Sequence, residues 1–458
     1  MKTKHFIARY LFRRVEDILK GEKVLSHLSF LEESKSWSRK KLDEYRVDKL
    51  SELILHAYSN VPFYRKRFEE LQLRPSDIRN LNDLKYLPAL SRADLRSNWN
   101  SDLRSSKHDY RFCYRGSSSG SSGDPVVYFK DKDAMSAGRA AALAGWSLAG
   151  RQLGDATIVI WGNYNTVKNE WSRFSSRAKA ILNRETRIPA FKLTTSDAMN
   201  HAFNKIVNSQ ADFIYGYTNA IYALSLFAER EEKRKIMPFQ GVLTTAETLN
   251  SVGRHAIEAT FGSVYDGYGC GEILGVAFQC KAKKGYHIVE PNVIVEYEDI
   301  GLGEQKGILL TDLTNFAMPL IRYRVGDIAV PGSDECNCGC TWRTIEKIDG
   351  RTSDIIKTPK GGNLLVPSGF GLSLLKEISG ITQYQMALVT NNNVIVRVVF
   401  EKHCQKLSRI KNDIKSCLEP YLNGIMDYDV QIVDHIPLGK SGKHKIVVDE
   451  RVHGESIG

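Results

Sequence analysis

A chain of 458 residues, 42% hydrophobic and 26% charged, has the composition of a folded protein and the length for two or three domains. Its net charge of +11 (64 Lys and Arg against 53 Asp and Glu) points to anionic ligands or surfaces. No zinc finger, RNA-binding signature or Arg-rich aromatic run accompanies that charge, which argues against nucleic acid. No apolar run approaches the roughly 18 residues of a membrane span, and the first 20 residues lack a secretory cleavage pattern. The eight cysteines do not make a disulfide scaffold, so a reducing, cytoplasmic setting is expected.

The chain opens on "MKTKHFIARYLFRRVEDILK", six cations against two anions, with Ile7, Leu11, Val15 and Ile18 at helical spacing. The ordinary expectation for such a stripe is burial against its own domain; the alternative is peripheral contact with a membrane. Helical periodicity runs on through "VDKLSELILHAYSNVPFYRKRFEEL" and breaks at Pro62, so residues 1–110 should be mostly helical.

Five serines and three glycines then fill Gly116–Gly123. "GSSSG" satisfies G-x-S-x-G and offers Ser118 as a nucleophile, but that elbow needs a helix directly after the serine. Here "DPVVYF" follows, whose proline and β-branched valines favour extended chain. A Walker loop also fails, because Asp124 stands where lysine is required. A slack linker fits the composition. A hairpin whose backbone N–H groups and hydroxyls wrap phosphates fits both composition and position.

Strand-like runs ("ATIVIW", "FQGVLTTA", "FGSVYDGYG") next alternate with helical ones ("KDAMSAGRAAALAGWSLAG", "TNAIYALSLFAEREEKR"), the signature of an α/β sheet. Residues 286–332 turn β-rich, polar and glycine residues at 347–354 suggest a boundary, and the tail reads as a small α+β unit.

In order along the chain stand "SSGSSGDP", "TAE", "YGCGE", "TDLTNFAMPLIRYRVGD", "GRTSDIIK" and "PLGKSGKHK". Together these resemble the adenylate-forming enzyme superfamily, within it the phenylacetate–CoA ligase group and its capsule-biosynthesis (CapK-like) relatives. "MPLIRYRVGD" and "HAYSNVPFYRKRF" are the most group-specific matches. The resemblance implies an α/β, multi-subdomain adenylation (AMP-binding) domain over residues 1–350 and a small mobile α+β lid over 351–458. It also implies a reaction: ATP and magnesium turn a carboxylic acid into an acyl-adenylate, which coenzyme A then captures. The alternative acceptor is an amine in surface-polysaccharide assembly. A non-catalytic binding module, and an oligomer, are further options.

The same resemblance assigns roles. Ser118, Ser119, Gly120, Ser121, Ser122 and Gly123 would cover the nucleotide phosphates; the family usually has lysine where this chain has Asp124. Glu272 would help hold magnesium, whose preference is for hard oxygen ligands. Thr245, Ala246, Glu247, Tyr268 and Gly269 would flank adenine and the α-phosphate. Asp327 would accept both ribose hydroxyls, and Arg351 would lie at the domain junction beside the Ser353–Asp354 hinge. Lys443, favoured over Lys440 and Lys445 by its spacing, would bring a mobile charge to the carboxylate and α-phosphate. Tyr215, Tyr217 and Tyr222 could stack an aromatic acid or simply pack the core.

"CNCGC" is not a C-x-x-C knuckle, yet Cys336 and Cys338 with Cys280 and His287 make a candidate structural zinc set. Cys113, Cys270, Cys404 and Cys417 have no partner by spacing and are expected to be structural.

Overall fold

The computed structural model describes residues 2–118, 125–162, 180–233, 239–352, 355–358, 363–365, 381–400, 407–422, 424–436 and 447–451. Four helices open it: α1 (Lys2–Lys20), α2 (Val24–Ser34), α3 (Arg39–Asn60) and α4 (Pro62–Glu70). Ser38 starts α3 by accepting from Lys41 N. Pro62 sits in the first turn of α4, where its missing N–H costs nothing, and divides α4 from α3 as the sequence predicts. Buried Leu50, Leu53, Ile54 and Phe68 carry these helices onto the body of the protein. A short helix α5 (Arg92–Asn98) follows, closed by a reciprocal capping box between Ser91 and Asp94.

The Ser/Gly segment begins in β1 (Tyr114–Ser118), which pairs antiparallel with β2 (Val126–Lys130). Residues 119–124 lie outside the described residues. Gly116 is required sterically, since a Cβ there would fall 2.3 Å from the ring of its cross-strand neighbour Tyr128. The next described element after Ser118 is the antiparallel strand β2, not the helix that a nucleophile elbow requires.

Helix α6 (Lys132–Leu148), capped by Asp131 accepting from Ala134 N, turns an alanine- and glycine-rich face to the main sheet. Among the described residues that sheet has eleven strands. Its parallel half runs in the order β4 (Glu185–Pro189), β3 (Thr157–Trp161), β5 (Phe213–Tyr217), β6 (Gly241–Thr245), β7 (Val264–Tyr268). Helices at Ser196–Val207, Thr218–Arg230 and Ser251–Phe261 make the crossovers from β4 to β5, β5 to β6 and β6 to β7, and Ile158, Ile160, Ile214 and Val242 form the core beneath them. The antiparallel half continues through β8 (Ala277–Gln279), β9 (Tyr286–Ile288), β13 (Thr344–Arg351), β12 (Tyr323–Pro331), β11 (Gln305–Asp312) and β10 (Val293–Leu302).

After β13 come a two-stranded ribbon, β14 (Ile355–Lys357) and β15 (Asn363–Leu365), and a four-stranded sheet. The latter has the order β18 (Asp427–Ile432), β17 (Asn393–Phe400), β16 (Ile381–Leu388), β19 (Val447–Asp449), covered by helix Leu407–Leu422. Val394, Val396, Val398, Ile414 and Leu418 anchor a core that draws no residue from before Ile356. Among the described residues no helix is long and apolar enough to cross a membrane.

One expectation is overturned. The α1 stripe does not pack on its own domain: Leu11, Val15 and Ile18 are exposed, and the helix turns Arg13, Glu16 and Asp17 inward instead. Arg13 binds Asp17, Glu16 and Glu22, and Glu22 also accepts from Tyr114 and Arg139, so an ion network rather than apolar contact holds that face.

Candidate active site and metal centre

The parallel strands β3, β5, β6 and β7 end together at Trp161, Tyr217, Thr245 and Tyr268, where open α/β sheets place their ligands. Directly after β7 comes "GCGE", and Glu272 at its end is only 2% exposed. A buried carboxylate needs partners. Ser118 Oγ donates to Glu272 Oε1 at 2.7 Å and Tyr323 OH donates to the same oxygen at 3.0 Å. Arg92 Nη2 lies 4.0 Å from that oxygen and donates to Ser118 Oγ at 3.4 Å. The last residue of β1, the loop after β7, the start of β12 and the first turn of α5 thus meet at one carboxylate.

A second group forms beside it. Tyr268 OH donates to Asp327 Oδ2 at 2.9 Å, and Arg351 Nε lies 3.3 Å from Oδ1, the two residues being register partners on β12 and β13. Burial drives the Asp327 carboxyl above its usual range, while Arg351 and the Tyr268 hydroxyl pull the other way. Glu272 and Arg92 are among the charges Asp327 feels, so the two groups share one site. Burial likewise pushes the Tyr268 and Tyr323 phenols up, keeping both as neutral donors.

Thr245 Oγ1 donates to Gly267 O at 2.8 Å, fixing the end of β6 beside β7, and Ala246 takes a left-handed φ of 71°. The Glu247 carboxylate accepts from Asn219 N at 2.8 Å, in the first turn of the helix Thr218–Arg230 that follows β5 directly. Of the tyrosines, Tyr222 is core. Tyr217 stacks on Trp161 (centroids 4.1 Å, planes 24° apart), and Trp161 lies parallel to Tyr215 (5.6 Å, 11°). Ser119, Gly120, Ser121, Ser122, Gly123 and Asp124, the hinge pair Ser353 and Asp354, and Lys440, Lys443 and Lys445 lie outside the described residues.

Sequence reasoning missed Arg92, Trp161, Tyr323 and Lys130. Arg92 and Tyr323 come from elements far apart in the chain, and no spacing links them to Glu272. Lys130 is buried, with Asp312 and Glu272 as its charged neighbours, and burial holds its ammonium below the usual range.

The cysteine–histidine set does assemble. Ligand atoms of Cys280, His287, Cys336 and Cys338 all lie within 4.8 Å of one another. Cys280 Sγ and Cys336 Sγ are 3.7 Å apart, close to the ~3.8 Å edge of a tetrahedron with ~2.3 Å Zn–S bonds. Cys338 Sγ stands 3.2 Å from His287 Nε2, while His287 Nδ1 meets Trp342 O at 2.8 Å. That carbonyl accepts only from a protonated Nδ1, which leaves the Nε2 lone pair aimed at the thiols, the tautomer a metal requires. Cys340 is buried and not one of the four, and its backbone N–H donates to Cys338 Sγ at 3.5 Å.

No family model matches the chain. Relatives do: the phenylacetate–coenzyme A ligase of Pseudomonas putida is 28% identical over 386 residues, covering 80% of this chain and 83% of that protein. The phenylacetate–coenzyme A ligase of Escherichia coli is 25% identical over 404 residues, covering 82% and 88%. A 2-hydroxyisobutyryl-CoA ligase, solved with an acyl-AMP in its postadenylation state, matches with a TM-score of 0.69 at 18% identity and 92% coverage of both chains. An anthranilate CoA ligase bound to anthranoyl-AMP matches with a TM-score of 0.51 at 13% identity over 74% of this chain and 67% of that one.

Proposed function

From its kinship with the phenylacetate–CoA ligases, which makes it an adenylate-forming ligase, we propose that this chain activates a carboxylic acid with ATP and transfers it to coenzyme A. The observation that carries the reading is the convergence of Ser118, Arg92 and Tyr323 on the buried Glu272, beside the Tyr268–Asp327–Arg351 group. A carboxylate oxygen of the acid attacks the α-phosphorus, the bond to the β-phosphate oxygen breaks, and pyrophosphate leaves. The thiolate of coenzyme A then attacks the acyl carbon and AMP departs.

Two anions must meet in the first step, so cations and hydroxyl donors do the work. Arg92 and Ser118 face the phosphates, and Tyr323 orients Glu272. A magnesium ion, when bound, would neutralise phosphate charge, and Glu272 is the hard oxygen ligand suited to hold it. Asp327 accepts the ribose hydroxyls, held in place by Tyr268 and Arg351. Residues 119–123 act as the phosphate lid. The unit from residue 351 onward, with its own core, is the moving lid domain, and Lys443 is the charge it delivers. The cysteine–histidine set holds structural zinc.

Trp161 and Tyr217 form a flat aromatic wall at the strand ends where the acid's tail lies. That wall favours an acid with a planar or apolar tail. The acceptor is tested by isolating the enzyme-bound acyl-adenylate and offering coenzyme A, an amino sugar or an amino acid. Thioester formation with release of AMP is expected; amide formation in place of thioester would assign the chain to the amine-transferring, capsule-type reaction.

A further inference from the structure

Helix α1 is amphipathic the wrong way round for a helix that only packs on its own protein. Leu11, Val15, Ile18 and Leu19 fall at i, i+4, i+7 and i+8, one face of a helix, and are 55%, 51%, 73% and 80% exposed. The opposite face carries Arg13, Glu16 and Asp17, all buried. Asp17 is bound twice over, accepting from Arg13 Nε at 3.0 Å and from Leu25 N at 3.0 Å. Arg13 Nη2 donates to Glu22 at 2.7 Å, and Glu22 is joined by Tyr114 of β1 at 2.5 Å and by Arg139 of α6. The polar face is therefore fixed by specific partners, and the apolar face is presented outward as a consequence.

Four neighbouring aliphatic side chains turned to water carry a standing cost of burial forgone, and contiguous patches of this kind mark interaction surfaces. Charge selects the partner. Both acids of α1 are turned inward, onto Arg13 and, for Glu16, onto Lys20 as well, whereas Arg14 is exposed among the aliphatic residues. Lys20 pairs with Glu16 at 3.2 Å, and the sequence of the helix sets six cations against two acids. A second copy would set this cationic helix against itself. An anionic bilayer surface answers both features at once, since aliphatic residues enter the headgroup boundary and cations meet lipid phosphates.

We propose that α1 docks the protein on an anionic membrane surface through Leu11, Val15, Ile18 and Leu19, with the exposed Arg14 beside them and the net positive charge of the helix supplying the charge attraction. Through Glu22 the docked helix is hydrogen-bonded to Tyr114, on the strand that ends at Ser118. The ligase would thus present its phosphate hairpin close to the bilayer.

The test is co-sedimentation of the full-length protein with phosphatidylcholine vesicles, with and without phosphatidylglycerol, over a range of salt. Binding is expected to the anionic vesicles alone and to weaken as salt rises. Leu11→Asp with Ile18→Asp should reduce the partition coefficient at least ~10-fold. The milder pair Ile18→Ser and Leu19→Ser should reduce it in the same direction, with melting temperatures unchanged because these side chains already face solvent. The proposal is overturned if the wild type ignores anionic vesicles, if it binds neutral ones equally well, or if the variants bind undiminished. A wild-type dimer in sedimentation velocity that the same substitutions dissolve, without vesicle binding, would assign the face to a second copy instead.

Discussion

Asp327 shows how one side chain can carry both a binding role and a pH dependence. It is buried, and burial lifts its carboxyl above the ordinary range while Arg351 and Tyr268 restrain the rise. Ribose hydroxyls donate to it only while it is ionised, so ATP binding weakens as pH falls through that raised value. The KM for ATP should therefore climb on acidification at a pH higher than an ordinary aspartate would give. In Asp327→Asn the KM should be roughly 10- to 100-fold higher throughout, the range for a lost hydrogen bond to a charged group. Its acid-side climb should be flattened; a profile with the wild-type inflection would remove Asp327 from the ribose. Asp327 and Glu272 were legible in the sequence because each sits in a motif of fixed order. Arg92 and Tyr323 were not, although Tyr323 stands in the same motif as Asp327, because their meeting with Glu272 is made by the fold: Leu90, just before α5, pairs with β12, its N–H donating to Arg322 O and its carbonyl accepting from Arg324 N.

At the scale of elements, the candidate metal set ties a hairpin to a loop. Cys280 follows β8, His287 lies in β9, and Cys336 and Cys338 come from the connection between β12 and β13. A metal there would bind the folded chain alone and stabilise it by mass action. The purified protein should carry one zinc, and Cys280→Ser should lose it and melt several degrees lower. Chelation of the wild type should lower its melting temperature likewise, leaving the variant unmoved; metal-free protein that melts as the loaded form does would refute a structural role. The pairing of Cys280 and His287 with "CNCGC" could be anticipated from ligand chemistry, but their closeness is a product of β9 pairing with β13, Thr344 opposite His287. Helix α1 was legible as a helix and misleading as to its buried side. Periodicity identifies an apolar face without saying what covers it, and the Arg13–Glu22 network that decided the matter spans residues too far apart for any local pattern. That network also has a pH signature. Burial opposes the Glu22 charge, but hydrogen bonds from Tyr114 and Arg139 win and hold its carboxyl below the usual range. Its stabilisation is present above the unfolded value near 4.5 and is lost as pH falls through the lower folded one.

For the molecule as a whole, the alternation of strands and helices, the β-rich stretch and the small tail unit could all be read from periodicity. The tail proves to have its own core. What periodicity could not supply was the register that brings Tyr268 of β7 to Asp327 of β12 across a sheet in which three strands separate them. Adenylation is the step on which every other role depends, and acid-dependent exchange of labelled pyrophosphate into ATP measures it directly. Across a panel of planar and aliphatic acids, the wild type should exchange with at least one, best with a planar or apolar acid, and Lys443→Ala and Glu272→Gln should exchange ~10²-fold more slowly or worse. Exchange with no acid, or exchange that both substitutions leave at the wild-type rate, would contradict it.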